Sequence, residues 1–284
     1  CDDCDAGKFQ GGTGQSECFE CEAGKFINTT SADGCGSCDA GKHASIDGAT
    51  SCSECIIGKF SQAGAEDCTD CDAGRTNFAE GSDSCESCPA GKTTETSSVT
   101  NTTVCVECEA GKFSQAGAGE CTNCATGRFQ SAAGKGSCDS CSTGKAMATE
   151  GASACSDCVP GTAQGGTGQS ECDHCDTGRF QSDTGQDSCD SCPAGTHATS
   201  EGATSCSDCI IGKFSQAGAA ECTPCDAGRT NFAEGSDSCT SCPAGQTTVI
   251  SNISGTMVCE HCRPGKTSQA GAVCVDCERG RFQS

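Results

Sequence analysis

Apolar positions along this chain do not recur at helical spacing in any 11-residue window, and glycine is too frequent for helix. The larger apolar side chains come instead in short runs of two or three residues, such as Lys59-Phe60-Ser61 or Arg128-Phe129-Gln130. Each run is followed by turn-forming Gly, Ala, Ser and Asp, as in Gln62-Ala63-Gly64-Ala65. This pattern predicts many small hairpins or loops, with Phe on the inner face and the basic head of the run outside. Phe takes the same place in eight runs, at positions 9, 26, 60, 113, 129, 180, 214 and 282, and Phe78 and Phe232 sit two positions later. The Phe column is therefore the expected packing element of the array.

Composition sharpens this picture. The chain has 284 residues with 34 Cys, 39 Gly, 11 Phe and neither Trp nor Tyr. Burying one Phe contributes about 2–3 kcal/mol. Ordering a stretch of about 17 residues costs on the order of 25 kcal/mol. Apolar burial loses that contest, so covalent cross-links and stacking must carry the fold. Such Cys density fits disulfides in an oxidising compartment or metal thiolates in a reducing one. Three N-glycosylation acceptor triplets, at Asn28, Asn101 and Asn252, lie in Ser/Thr-rich loops away from the cysteines and favour the secretory route. The expected location is secreted or at the extracellular cell surface. No apolar run approaches 18 residues, so no membrane insertion is expected in this segment. The formal net charge of −22 speaks against nucleic acid and anionic membranes as partners.

Internal repetition sets the architecture. All 34 Cys fall into 17 C-x-x-C pairs, stepped by 17 residues in most cases, by 16 or 15 in some and by 20 at two places. A Gly stands three residues after the second Cys of every pair, as Gly7, Gly24, Gly41, Gly58, Gly74 and Gly91 in the first six. A glycine fixed at one place in every copy implies positive φ or a close backbone approach there. Lys or Arg follows it in 14 of 17 repeats. A longer period of 154 residues is superposed: Thr50–Thr94 and Thr204–Thr248 match at 39 of 45 positions. The expected domains are residues 1–154, with nine repeats, and 155–284, a second, truncated superrepeat with eight. The fold class is a small disulfide-rich, mainly β or irregular, elongated solenoid-like array without a large hydrophobic core. Every copy looks built for the same job, whereas an active site needs only one.

Spacing alone does not settle disulfide connectivity. Bonding within a C-x-x-C pair is strained in this context, and nine pairs per superrepeat disfavour modules that use pairs two at a time. The expectation is a ladder in which the second Cys of one pair bonds the first of the next. Its first rungs are Cys4–Cys18, Cys21–Cys35, Cys38–Cys52, Cys55–Cys68, Cys71–Cys85 and Cys88–Cys105. Each would close a loop of roughly 15 residues, worth about 3 kcal/mol in the chain-entropy model. Cys1 and Cys277 are left to reach repeats beyond this segment.

The unit C-x-x-C-x-x-G-[KR]-[FT]-x(8–9)-C-x-x-C, from Cys1-Asp2-Asp3-Cys4-Asp5-Ala6-Gly7 to Cys274-Val275-Asp276-Cys277-Glu278-Arg279-Gly280, resembles the ephrin-receptor-type cysteine-rich repeat, related in style to tumour-necrosis-factor-receptor modules. The resemblance implies elongated, disulfide-bonded extracellular modules of the sort found in receptors, matrix proteins and surface proteins, with no catalytic residues to carry over. Nothing in the array resembles a ligand-binding head, a kinase or a membrane anchor.

Other chemistry is thinly represented. Paired C-x-x-C motifs also suit zinc, but an odd number of pairs and the fixed Gly, basic and Phe positions are not explained by a metal. Thiol–disulfide catalysis needs one exposed pair at a helix start. The four His, at positions 43, 174, 197 and 261, read as loop residues and not as ligands. The carboxylates Asp2, Asp3, Asp70, Asp157 and Asp208 make an acidic surface that leaves room for weak Ca²⁺ binding at most, and no other cofactor is expected. The basic column pairs intramolecularly with neighbouring acids, or else mediates lateral assembly. No enzyme is expected. The function read from these features is structural: a stiff disulfide-stapled rod in a glycosylated surface filament or appendage, self-associating or joined to other surface proteins and carrying covalent glycans. The alternative is a stalk or ligand-binding ectodomain of a receptor or adhesin.

Overall fold

The computed structural model describes residues 3–250 and 256–279. Within them there is no helix, and sixteen two-stranded antiparallel hairpins follow one another along the chain. The chain is a small disulfide-rich repeat array. It divides into two compact bodies, one made of Cys1–Asp139 with Thr149–Ala154 and the other of Ser140–Ala148 with Cys155–Ser284.

Each hairpin is assembled from two consecutive repeats. The basic-Phe run supplies the first strand, and the two residues inside the next C-x-x-C supply the second. Lys8–Phe9 pairs with Phe19–Glu20, and Lys59–Phe60 pairs with Thr69–Asp70. The interior of each C-x-x-C is thus a strand, a role that its spacing does not announce. Ahead of the first strand the chain reverses in a four-residue turn. The Lys8 amide donates to the Asp5 carbonyl at 3.0 Å, with Gly7 at φ 88° in the third position, as a type II turn requires.

Successive repeats are joined by hydrogen bonds of fixed register. The turn glycine donates to the carbonyl of the residue three places after the next turn glycine: Gly7 to Ile27, Gly24 to Ala44 and Gly41 to Ser61, at 2.8–2.9 Å. The same glycine accepts from the second Cys of the next pair, as Cys21 to Gly7 and Cys38 to Gly24, both 2.9 Å. A third bond also joins neighbouring repeats, because the glycine of each long loop donates back to the second Cys of the preceding pair, as Gly48 to Cys21 and Gly64 to Cys38. That loop glycine also lies against the turn glycine two repeats back. A Cβ on Gly24 would collide with the Gly64 carbonyl. Gly24 thus combines φ 83° with a close backbone approach, and either alone would select glycine.

The interior is built from cystine and small side chains. Second cysteines such as Cys21, Cys55, Cys88 and Cys124 are fully buried, while their bonding partners Cys35, Cys68, Cys105 and Cys138 are partly exposed. The remaining buried groups are Ala44, Ala49, Ala146, Ala163, Ala198, Ile27 and a set of Ser, Thr, Asn and Gln. Phe differs here from its expected inner-face role. Phe26 and its equivalents Phe9, Phe60, Phe113, Phe129, Phe180 and Phe214 are half-buried, Phe78 and Phe232 are exposed, and Phe282 lies outside the described residues. Two-residue strands stacked on cystines leave no interior space for an aromatic ring, so Phe26 packs as a cover over Cys38, Ala44 and Ala49. The buried polar groups are satisfied: none of the buried side-chain N or O atoms among the described residues lacks a partner.

Two hairpins are longer. Lys92–Thr96 pairs with Thr103–Glu107, and Gln246–Ile250 with Met257–His261, each over five residues. Both arise at the 20-residue steps.

Candidate functional site

The candidate site of a repeat array is its repeated surface together with the covalent ladder that carries it. Sixteen disulfides join the second Cys of one pair to the first of the next, from Cys4–Cys18, Cys21–Cys35, Cys38–Cys52, Cys55–Cys68, Cys71–Cys85 and Cys88–Cys105 through to Cys262–Cys274. Their Cα separations, 5.6–5.9 Å, lie in the ordinary range. Cys277 has no disulfide partner among the described residues, and Cys1 lies outside them. Turn glycines 7, 24, 41, 58, 74 and 91 all have φ between 79° and 93°.

At the two long hairpins the inter-repeat register would fail, because the chain diverges to build them. Side chains replace the missing carbonyls. Asn77 Oδ1 accepts from the Gly58 amide while its Nδ2 donates to the Lys59 carbonyl at 2.8 Å, and Thr94 Oγ1 accepts from Gly74 at 3.0 Å. Asn231 and Thr248 do the same for Gly212 and Gly228 in the second copy. Thr76 and Thr230, both completely buried, tie down the loop-side ends of the return strands through the carbonyls of Thr103 and Met257. The Thr-Asn pair before each 20-residue step was the available sequence signal, present at Thr76-Asn77 and Thr230-Asn231.

The basic column divides by residue type. Six lysines reach an acid on the opposite strand, Lys8–Glu20 at 3.2 Å, Lys42–Glu54 at 3.6 Å, Lys59–Asp70 at 2.7 Å, Lys92–Glu107 at 3.5 Å, Lys145–Asp157 at 2.7 Å and Lys266–Asp276 at 3.1 Å, whereas Lys112 and Lys213 face Asn123 and Pro224. Lys25, which faces Ser37, turns instead to Glu22 at 3.0 Å. Arginines bond the carbonyl of the first Cys of the next pair, Arg128 to Cys138 at 3.3 Å and Arg179 to Cys189 at 3.0 Å. Most of this charge is therefore spent within the chain. Two of the carboxylates considered for Ca²⁺, Asp70 and Asp157, are among the paired acids, and Asp2 lies outside the described residues.

Among the described residues two clusters bring potential metal ligands within 4.8 Å, His43 with Cys55 and Cys68, and His197 with Cys209 and Cys222. In both the sulfurs are already bonded to each other, so no thiolate is on offer. Nδ1 of each His lies 3.1 Å from the partly exposed sulfur of its cystine. His174 and His261 occupy return strands. Of the acceptor asparagines, Asn28 is exposed in a loop and Asn101 is exposed at the tip of the first long hairpin at φ 52°. Asn252 lies outside the described residues.

A family model described as tyrosine-protein kinase ephrin type A/B receptor-like matches residues 58–110, 111–158, 161–209 and 212–262, most of the chain. The chain belongs to the ephrin-receptor-like cysteine-rich family. Each ephrin-receptor-like match opens on or just after a turn glycine and holds three C-x-x-C pairs. Three is also the smallest number of repeats that contains the next-but-one contact between turn and loop glycines, so the family module is one complete stacking period. The family is a cysteine-rich repeat of receptor-ectodomain type and not an enzyme family. With sixteen disulfides, ephrin-receptor-like repeats point to an extracellular domain. No curated protein matches the chain at a significant level.

Proposed function

We propose that this ephrin-receptor-like array is a structural extracellular protein, a stiff disulfide-stapled rod that forms a segment of a glycosylated cell-surface filament or appendage. The observation that carries this reading is the double linkage of each repeat to its neighbour, by a disulfide and by backbone hydrogen bonds, with its turn glycine packed against the loop glycine two repeats on. A chain tied in this way resists bending and stretching at every step, which a load-bearing or spacing element needs and a catalytic domain does not. Exposed Asn28 and Asn101 support the glycosylated part of the reading. The family match favours a second reading, a stalk or ligand-binding ectodomain of a receptor or adhesin.

Electron microscopy of the native glycosylated protein, without reductant and near physiological salt, tests the proposal. Long fibres with an axial period are expected. Isolated short particles at every concentration would remove the filament and leave the stalk.

A further inference from the structure

The two superrepeats are nearly identical, so their differences are informative. Over Thr50–Thr94 and Thr204–Thr248 six positions differ, and each involves a charged residue. Three of these fall in one place, Glu54 against Asp208, Asp67 against Glu221 and Asp70 against Pro224, and just upstream Lys42 is replaced by Thr196. In the first copy Lys42, Glu54 and Asp70 take part in two cross-strand ion pairs, Lys42–Glu54 and Lys59–Asp70, while Asp67 forms none among the described residues. In the second, Asp208 faces Thr196 and Lys213 faces Pro224. Both pairs are gone, and among the described residues Asp208, Lys213 and Glu221 have no ion-pair partner.

The two released charges, Asp208 and Lys213, line one surface cleft of about 360 Å³ together with Glu221, His197, Thr199, Ile210 and Cys222. The His197 ring is fixed there by Nδ1, which lies 2.9 Å from the Ser207 carbonyl and 3.1 Å from Cys222 Sγ. Ile210 contributes a half-exposed apolar wall. The two carboxylates do not converge with His197 on a common point, since the His197 cluster within 4.8 Å contains neither. A bare metal ion is therefore a poor fit. A ligand large enough to span separated charges of both signs is a good one.

We propose that this cleft binds a zwitterionic ligand, with its ammonium or guanidinium group at Asp208 and Glu221, its carboxylate on Lys213 and its apolar part on Ile210. A free amino acid has this chemistry, and so does a protein segment with adjacent basic and acidic side chains. The binding stands apart from any role of the array as a filament, since it uses side chains of the second superrepeat alone.

The test is a titration of the full 284-residue chain, followed through the imidazole NMR signals of His197, with the other His as internal controls. The probes are L-leucine, a Lys-Glu dipeptide blocked at both ends, putrescine and succinate. One zwitterion is expected to shift His197 saturably with Kd of about 1 mM or tighter, and putrescine and succinate to bind at least about tenfold more weakly. Tighter leucine identifies a free amino acid as the ligand, and a tighter dipeptide identifies a protein segment. The double variant T196K/P224D, which rebuilds both ion pairs, should weaken binding by about tenfold or more while peptide mapping shows the disulfides retained. Should that variant misfold, D208N and K213M carry the same test. Failure of both zwitterions to saturate, equal binding by putrescine or succinate, or undiminished binding by the variants overturns the proposal.

Discussion

Asn77 stands in front of the Gly58 amide where other repeats present a backbone carbonyl. Its side-chain oxygen accepts the glycine N–H, and its nitrogen returns a hydrogen bond to Lys59. One buried amide thereby restores two bonds that the first long hairpin displaces, and Asn231 restores them again for the second. Replacing Asn77 with Ala leaves the buried Gly58 amide without an acceptor, at a cost of about 1–3 kcal/mol. Hydrogen exchange should show the Gly58 amide losing its protection while Gly212, served by the intact Asn231, keeps it. Equal protection in variant and parent would show the bond to be unimportant.

Two glycines of similar φ separate backbone strain from close approach. A Cβ added to Gly14, at φ 82°, would meet nothing within 4 Å, whereas one added to Gly41, at φ 84°, would run into the Gly81 backbone. Gly14→Ala should cost about 1–2 kcal/mol, the left-handed penalty alone. Gly41→Ala adds a collision that only a shift between repeats relieves, so oxidative refolding should give a markedly lower yield and mispaired products. Equal yields for the two variants would contradict the stacking described here.

The ladder makes damage local. Removing the Cys124–Cys138 bridge by a double Cys→Ala substitution should cost about 3 kcal/mol. Because each repeat is hydrogen-bonded to its neighbours and packs its turn glycine against the repeat after next, lost exchange protection should be confined to those repeats. Protection lost at the first few repeats as well would mean that the array folds as one cooperative unit.

The ion pairs should matter far less than the cystines. Lys59–Asp70 is short, but Asp70 remains 77% exposed. Lys59→Ala is expected to change stability by less than about 1 kcal/mol, and 1 M salt to have a similarly small effect. Chemical denaturation of parent and variant without reductant checks this.

Asn101 sits at an exposed hairpin tip, with the Thr103 hydroxyl 2.8 Å from that of Thr96. Protein secreted from a glycosylating cell should lose the mass of one N-linked glycan on Asn101→Gln substitution, with folding unchanged. An unaltered mass would show this acceptor to be unused.

The sequence by itself determined the period, the turns and the absence of a conventional core. Each is a local property: seventeen C-x-x-C pairs, a glycine at one offset in each and too few large apolar residues to offset chain entropy. Tertiary structure decided what depends on partners distant along the chain. The interior of C-x-x-C became a strand because the stacked turn glycine ahead of it sets the register, as Gly7 does for Cys21. Phe26 became a cover and not a core because cystine fills the space between two-residue strands. Asn77 and Thr94 acquired their roles from a hairpin that begins well after Asn77. The charges around His197 were visible as letters, but only cross-strand pairing showed which of them had lost their partners. Short-range geometry is written in neighbouring residues, whereas register and pairing are set by stacking, which no local pattern records.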